Sequence, residues 1–185
     1  MSQSTTGRKL VYYVAVSIDQ FIAHEDETMD GFLTEGQHIP DYLNSLQQYD
    51  TVLMGRRTYE WGYQFGVEAG QPVPTYGHMM QYVFSSTMPD STHEQLHIVR
   101  SNPKTLVQEL KVQAGGMIYL CGGGQLAGYL LEHDLIDEVL LKVNPVMFGR
   151  GIPLFSHVER TVRMSLLNTK IYNNGVIFSH YSVNR

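Results

Sequence analysis

Met117-Ile118-Tyr119-Leu120-Cys121-Gly122-Gly123-Gly124-Gln125-Leu126-Ala127 is the stretch that decides the fold of this chain. Residues 117–121 are apolar and read as a buried strand. Three glycines follow, and residues 125–132 then take up helical spacing. A strand that runs through glycines into a helix brings free backbone N–H groups and the positive end of the helix dipole to one point. Glycine allows the backbone to approach an anionic ligand because no Cβ stands in the way. Gly122, Gly124 and Ala127 also keep the G-x-G-x-x-A spacing of a dinucleotide fingerprint. A sharp structural turn accounts for the same residues equally well, so the motif needs a second one beside it.

Thr51-Val52-Leu53-Met54-Gly55-Arg56-Arg57-Thr58 supplies that second motif: strand, glycine, helix start, with two arginines. Basic residues at a helix N-terminus oppose the dipole, so Arg56 and Arg57 should bring another benefit. A guanidinium fork matches phosphate oxygens, and binding an anion is such a benefit. A bridge to a surface carboxylate is the ordinary alternative.

Around these junctions the chain alternates strands and helices. Residues 9–18 read as a central strand, and the polar stretch 19–37 as a long loop with functional potential. Residues 39–49 carry Ile39, Leu43 and Leu46 at helical spacing, and residues 56–63 open another helix. Residues 82–85 and 96–99 are short strands separated from the rest by a glycine- and proline-rich loop at 66–77. Residues 103–112 form a helix with Asn102 as its expected N-cap and Pro103 at its first position. Residues 137–146, 162–172 and 176–183 are strands, the last two joined by Asn174-Gly175, a strong hairpin signal. This order predicts an α/β fold with a mostly parallel central sheet, helices on both faces and an antiparallel C-terminal hairpin. Residues 1–8 are expected as a flexible N-terminus and residues 9–185 as a single domain.

Composition bounds the function. The chain has 43% hydrophobic and 17% charged residues, in the range of a folded protein with a sizeable core. Its formal charge of −5 argues against general affinity for nucleic acid or an anionic membrane. Cys121 has no second cysteine to pair with, so no oxidising compartment is implied. No apolar run reaches the roughly 18–20 residues that cross a bilayer. A cytoplasmic location is the expectation.

Other residues carry weaker signals. His93-Glu94-Gln95-Leu96-His97 fits H-E-x-x-H, but Ile98-Val99 and Asn102-Pro103 argue for strand and turn where a zinc site needs a helix. No metal site is expected. Cys121 has no identified base beside it and reads as a core residue. Trp61 reads as packing. Ser17 and Asp19 end the first strand, where sheet proteins place functional groups, though a loop-capping role for Asp19 is equally open.

Taken in order, these segments resemble the dihydrofolate reductase-like superfamily, and most of all its branch containing the reductase domain of the riboflavin-pathway deaminase–reductase. The resemblance rests on residues 14–23, 51–59, 83–87, 122–127 and 137–155, the last including Asn-Pro-Val-Met-Phe-Gly-Arg-Gly-Ile-Pro-Leu-Phe. It implies a three-layer reductase fold that uses NADPH. By the resemblance, Ala15 and Ile22 touch the nicotinamide end. Gly55, Arg56, Arg57 and Thr58 hold the 2′-phosphate and diphosphate, and Ser85, Ser86 and Arg100 line the adenine-ribose side. Gly122, Gly123, Gly124, Gln125, Leu126 and Ala127 cradle the diphosphate, with the Gly122–Gly123 peptide expected cis. Asp19, from the Ser-x-Asp signature, is the first choice for a substrate-side proton donor; Asp41, aligned with the acid that meets the pterin in folate enzymes, is the second.

The sequence also departs from that branch. Gln20 stands where the riboflavin enzymes have glycine, and Tyr59-Glu60-Trp61-Gly62 replaces their Thr and Asp-x-Pro substrate segment. The deaminase domain has no counterpart in these residues, so a stand-alone reductase is expected, and the loop 19–37 lacks the tryptophan of a folate enzyme. The expected activity is hydride transfer from NADPH to a small heterocyclic substrate, with 5-amino-6-(5-phosphoribosylamino)uracil reduction as its model. The alternatives are a non-catalytic ligand-binding protein of the same fold and, far behind, a zinc hydrolase. A homodimer using edge strands near the C-terminus is implied, with no nucleic-acid or membrane partner.

Overall fold

The computed structural model describes residues 7–185 and centres on β1 (Leu10–Val16), whose Leu10, Val11, Tyr12 and Val16 are at most 1% exposed. Such a strand must be covered on both faces, which is the condition of a parallel sheet. β1 lies parallel between β6 (Met117–Gly122) and β7 (Glu138–Val143). Beyond β6 come β3 (Tyr49–Gly55), β4 (Met80–Phe84) and β5 (Leu96–Val99), all parallel. Beyond β7 the hairpin of β9 (Met164–Ile171) and β10 (Ile177–Val183) completes an eight-stranded sheet of order β5-β4-β3-β6-β1-β7-β10-β9. β10 runs antiparallel to both of its neighbours, and the hairpin turn uses Gly175 at φ +86°.

Alternation along the strands divides the core in two. Leu10, Tyr12, Ile118 and Leu120 point to the face covered by α3 (Pro103–Val112) and α4 (Gly124–Glu132). Val11, Tyr13, Val52, Met54 and Tyr119 point to the opposite face, where Tyr42 of α1 (His38–Ser45) and Tyr59 of α2 (Arg56–Glu60) pack. The three-layer α/β arrangement expected from the sequence is therefore present. The strand order reverses where β6 enters between β3 and β1. A crevice at the carboxyl ends of these strands is the usual consequence.

Four local expectations change. The helix expected over residues 39–49 ends at Ser45, continues as a 3-10 turn over Leu46–Gln48 and gives way to β3 at Tyr49. Tyr49 is buried and pairs with Met117, so sheet packing outweighs helical spacing there. Asn102 sits at φ +53° and makes no side-chain cap bond. The strand expected over residues 137–146 is the shorter β7. Inside the long loop, β2 (Phe21–Ala23) pairs with β8 (Ile152–Pro153), forming a second, two-stranded sheet. Residues 1–6 of the expected N-terminal segment lie outside the described residues. Arg8 is buried, pairing with Asp50 and donating to Thr51 Oγ1 at 2.8 Å and to Gly116 O at 2.7 Å, which ties it to the domain edge.

Candidate active site

The carboxyl ends of β1, β3 and β6 open into a cavity of about 1080 Å³. One wall is the glycine junction. Gly122 adopts φ +140°, a conformation that side chains resist, and the Gly122–Gly123 peptide is cis, as the resemblance implied. A Cβ at Gly124 would stand 2.2 Å from the carbonyl oxygen of Pro153. β8 can lie against this junction only because residue 124 is glycine. The first intrahelical bond of α4 runs from Ala127 N to Gly123 O at 3.0 Å, so the amides before it have no helical partner. The β3–β6 register slips between Leu53 and Met54, where Met54 comes opposite Gly122 and brings Gly55 to the rim.

Gly55, Arg56, Arg57 and Thr58 carry the second junction into the same cavity. Thr58 lies beside the glycines, its Oγ1 3.5 Å from where a Cβ on Gly123 would be. Arg56 donates to Glu60 at 2.7 Å and to Thr87 Oγ1 at 2.8 Å, and Arg57 pairs with Glu27 at 3.0 Å across the mouth. Each arginine lines the cavity, and each has the carboxylate partner that was the ordinary alternative.

Ala15, Ile22, Gly122, Gly123, Gly124, Gln125 and Leu126 also line the cavity. Ala127 is buried behind it. Ser85, Ser86 and Arg100 do not line it. Ser85 Oγ accepts the amides of Thr87 and Met88 at 3.3 and 3.1 Å, which shapes the turn after β4. Ser86 is exposed, and Arg100 pairs with Asp90 at 2.8 Å on the surface. The segment between β4 and β5 turns away from the cavity, although the two strands are adjacent in the sheet.

Neither expected proton donor reaches the cavity. Asp19 accepts the amides of Phe148 at 3.1 Å and Gly149 at 2.7 Å, taking the loop-capping role. Hydrogen bonding from Ser17 and from those amides holds its carboxyl below the usual range. Asp41 is bound by Lys170 at 2.5 Å, Gln37 at 3.0 Å and Tyr172 at 2.9 Å. These partners, Lys170 foremost, lower its pKa to about 2, so at neutral pH it has no proton to give. The H-E-x-x-H pattern also fails: His93 lies in a turn and His97 on β5, stacked on Tyr82 at 5.1 Å. Among the described residues no group of three or more His, Cys, Asp or Glu could hold a metal.

What fills the other half of the cavity was not anticipated. Tyr42 Oη lies 3.0 Å from Tyr119 Oη and 3.5 Å from Tyr76 Oη, and Tyr76 Oη lies 3.4 Å from Cys121 Sγ. Burial raises the pKa of all three phenols and of the thiol, so Cys121 has no nucleophilic bias. Lys142 completes this wall, its Nζ 5.2 Å from the centre of the Tyr42 ring. Trp61 lines the cavity too, packed on Phe65 at 4.6 Å. The available signal was Lys142 itself, a lone cation inside the apolar strand Glu138–Val143.

Fold and cavity together define an α/β protein of the dihydrofolate reductase-like class. The chain belongs to the family of the RibD C-terminal domain, whose model matches residues 8–178. It is 34% identical over 170 residues to the uncharacterized protein YwjB of Bacillus subtilis (strain 168), covering 91% of this chain and 95% of that one. Its fold is similar to that of a putative riboflavin biosynthesis protein from Shewanella sp. PV-4, with TM-score 0.79, 20% identity and coverage of 96% and 99%. It is also similar to Enterococcus faecalis dihydrofolate reductase complexed with NADP(H), with TM-score 0.66, 17% identity and coverage of 96% and 97%. No helix among the described residues is long and apolar enough to cross a membrane.

Proposed function

We propose that this chain is an NADPH-dependent reductase that transfers a hydride to a small heterocyclic acceptor. The observation that carries the reading is the convergence of two strand–glycine–helix junctions, one of them bearing Arg56 and Arg57, on a single cavity. The donor set fits a dinucleotide: free amides at the start of α4, a glycine wall without Cβ atoms, and guanidinium groups at the rim. In this reading Gly122 to Leu126 hold the diphosphate, Arg56, Arg57 and Thr58 hold it together with the 2′-phosphate, and Ala15 and Ile22 flank the nicotinamide. NADPH supplies the hydride. The protein's part is alignment and exclusion of water. The family and the riboflavin-related neighbour favour an acceptor of the aminouracil type, with 5-amino-6-(5-phosphoribosylamino)uracil as the first compound to try, in the cytoplasm where NADPH is at hand.

The test is a titration of both nicotinamide cofactors. Arg56→Ala should weaken NADPH binding by about 1.5–3 kcal/mol, roughly 10–100-fold, and NADH binding much less. Equal losses for the two would remove the 2′-phosphate role. Assembly as a homodimer belongs to the same proposal. β9 ends the sheet and exposes Leu166, Leu167 and Ile171, and a long apolar edge favours being covered. Sedimentation as a monomer would overturn this part.

A further inference from the structure

The chain has five lysines, and their surroundings separate one from the rest. Lys9, Lys111 and Lys170 each meet a carboxylate, on Glu138, Asp137 and Asp41. Lys104 lies exposed on α3. Lys142 is half-buried at the cavity wall, and among the described residues its ammonium has no ion pair or hydrogen bond to the protein. It lies instead over the Tyr42 ring, and burial lowers its pKa from the usual lysine value. A cavity-lining cation with only an aromatic face of the protein for company is free to meet a hydrogen-bond acceptor on a ligand.

Register shows where that acceptor belongs. Lys142 is the cross-strand partner of Ala15, and both line the cavity. Partners in a parallel pair project to the same face, so Lys142 stands beside the position assigned to the nicotinamide. Around it are Tyr13, Tyr42 and Tyr119, flat walls suited to a planar ring. Among the described residues, carboxylates reach the cavity only from the loop after β2: Glu27 is held by Arg57, and Glu25 is exposed. Asp41, the acid at the pterin-side helix position, faces Lys170 and Tyr172 and is absent from the lining. An acid in the acceptor half would favour amino- or amidine-bearing ring edges, which donate. This chain places a donor there instead.

We propose that Lys142 is the specificity-determining residue of the acceptor half. Its ammonium holds an electron-rich, hydrogen-bond-accepting edge of a planar heterocycle, an oxo group or a deprotonated ring nitrogen, and disfavours rings that present a hydrogen-bond-donating amino or amidine edge. The assignment rests on the reductase reading for the position of the cofactor, and it adds the sign of the charge that the acceptor must present.

Two pteridines that share one ring and differ in that edge test it: lumazine, the 2,4-dioxo compound, and 2,4-diaminopteridine. Their affinities are measured by fluorescence on the NADP⁺-loaded protein at neutral pH. Wild type should bind lumazine at least tenfold more tightly than the diamino compound. Lys142→Met, which keeps the length of the side chain and removes its charge, should abolish that preference in a protein that still binds NADP⁺. Lys142→Arg should retain most of it. A wild-type protein without the preference, or a Lys142→Met protein that keeps it, overturns the assignment. Failure of wild type to bind NADPH is a different result: it sinks the reductase reading and, with it, the placement of the acceptor.

Discussion

On the α4 side the cavity wall is backbone: Gly122 at φ +140°, Gly124 pressed against Pro153, and amides with no side chain in front of them. On the α1 side the wall is side chain: the Tyr42 hydroxyl at 3.0 and 3.5 Å from two other phenols, a thiol and an ammonium. Backbone walls recognise what is common to a class of ligands, because a phosphate needs only N–H groups and room. Side-chain walls recognise what differs between ligands, because hydroxyl and ammonium groups select particular ring edges. The first half of the cavity is therefore suited to features common to many ligands, while the second is suited to telling one ring from another.

The contrast can be broken from the backbone side first. Gly124→Ala should have the largest effect, since its Cβ would meet the Pro153 carbonyl oxygen at 2.2 Å. Overpacking of this kind costs about 1–3 kcal/mol. We expect a lowered urea midpoint together with loss of measurable NADPH binding. A variant of wild-type stability and affinity would show that the wall can yield and is not shaped by its glycines.

The side-chain wall should tolerate more. Tyr42→Phe removes one hydroxyl from the phenol network, for a loss of about 1 kcal/mol in chemical denaturation. NADPH affinity should be unchanged. A fall in cofactor affinity comparable to that of Arg56→Ala would mean that the two halves are one coupled site.

The smallest effect is expected outside both walls. Asp41 has its carboxyl held at about 2, below the ordinary 3.8, by Lys170, Gln37 and Tyr172. A depressed carboxyl stabilises the fold above the unfolded-state value, and that contribution fades as pH falls toward the folded-state value. The melting-temperature difference between wild type and Asp41→Asn should therefore be constant above about pH 4 and shrink toward pH 2. NADPH binding by the variant should match wild type. Cofactor loss at neutral pH would return Asp41 to the site.

Local chemistry makes the frame of the molecule legible in its residues. The run Leu10–Val16 is apolar throughout and had to be central, and Asn174-Gly175 between two β-prone runs had to be a hairpin. Gly122 to Gly124 and Gly55-Arg56-Arg57 reach the cavity because the end of a strand and the start of the following helix are adjacent in the chain. Close neighbours in sequence stay neighbours in space, so a motif of consecutive residues survives folding as a unit.

The half of the cavity lined by tyrosines and Lys142 has no such continuity. Tyr13, Tyr42, Tyr76, Tyr119 and Lys142 come from five separate segments, and only the strand order β6-β1-β7 with α1 packed over it brings them together. β8 is equally a product of tertiary packing. Ile152–Pro153 has no strand propensity worth reading, and it pairs because β2 and Gly124 leave a slot for it. Asp19 and Asp41 failed as proton donors for the same reason: sequence names the ionisable groups, but which partner neutralises each one depends on distances set by the fold. The amino-acid sequence alone determined the central strands, the hairpin and the strand–glycine–helix junctions, since those depend on local periodicity and glycine. Only the tertiary structure decided which side chains line the other half of the cavity, because that depends on contacts between residues far apart in the chain.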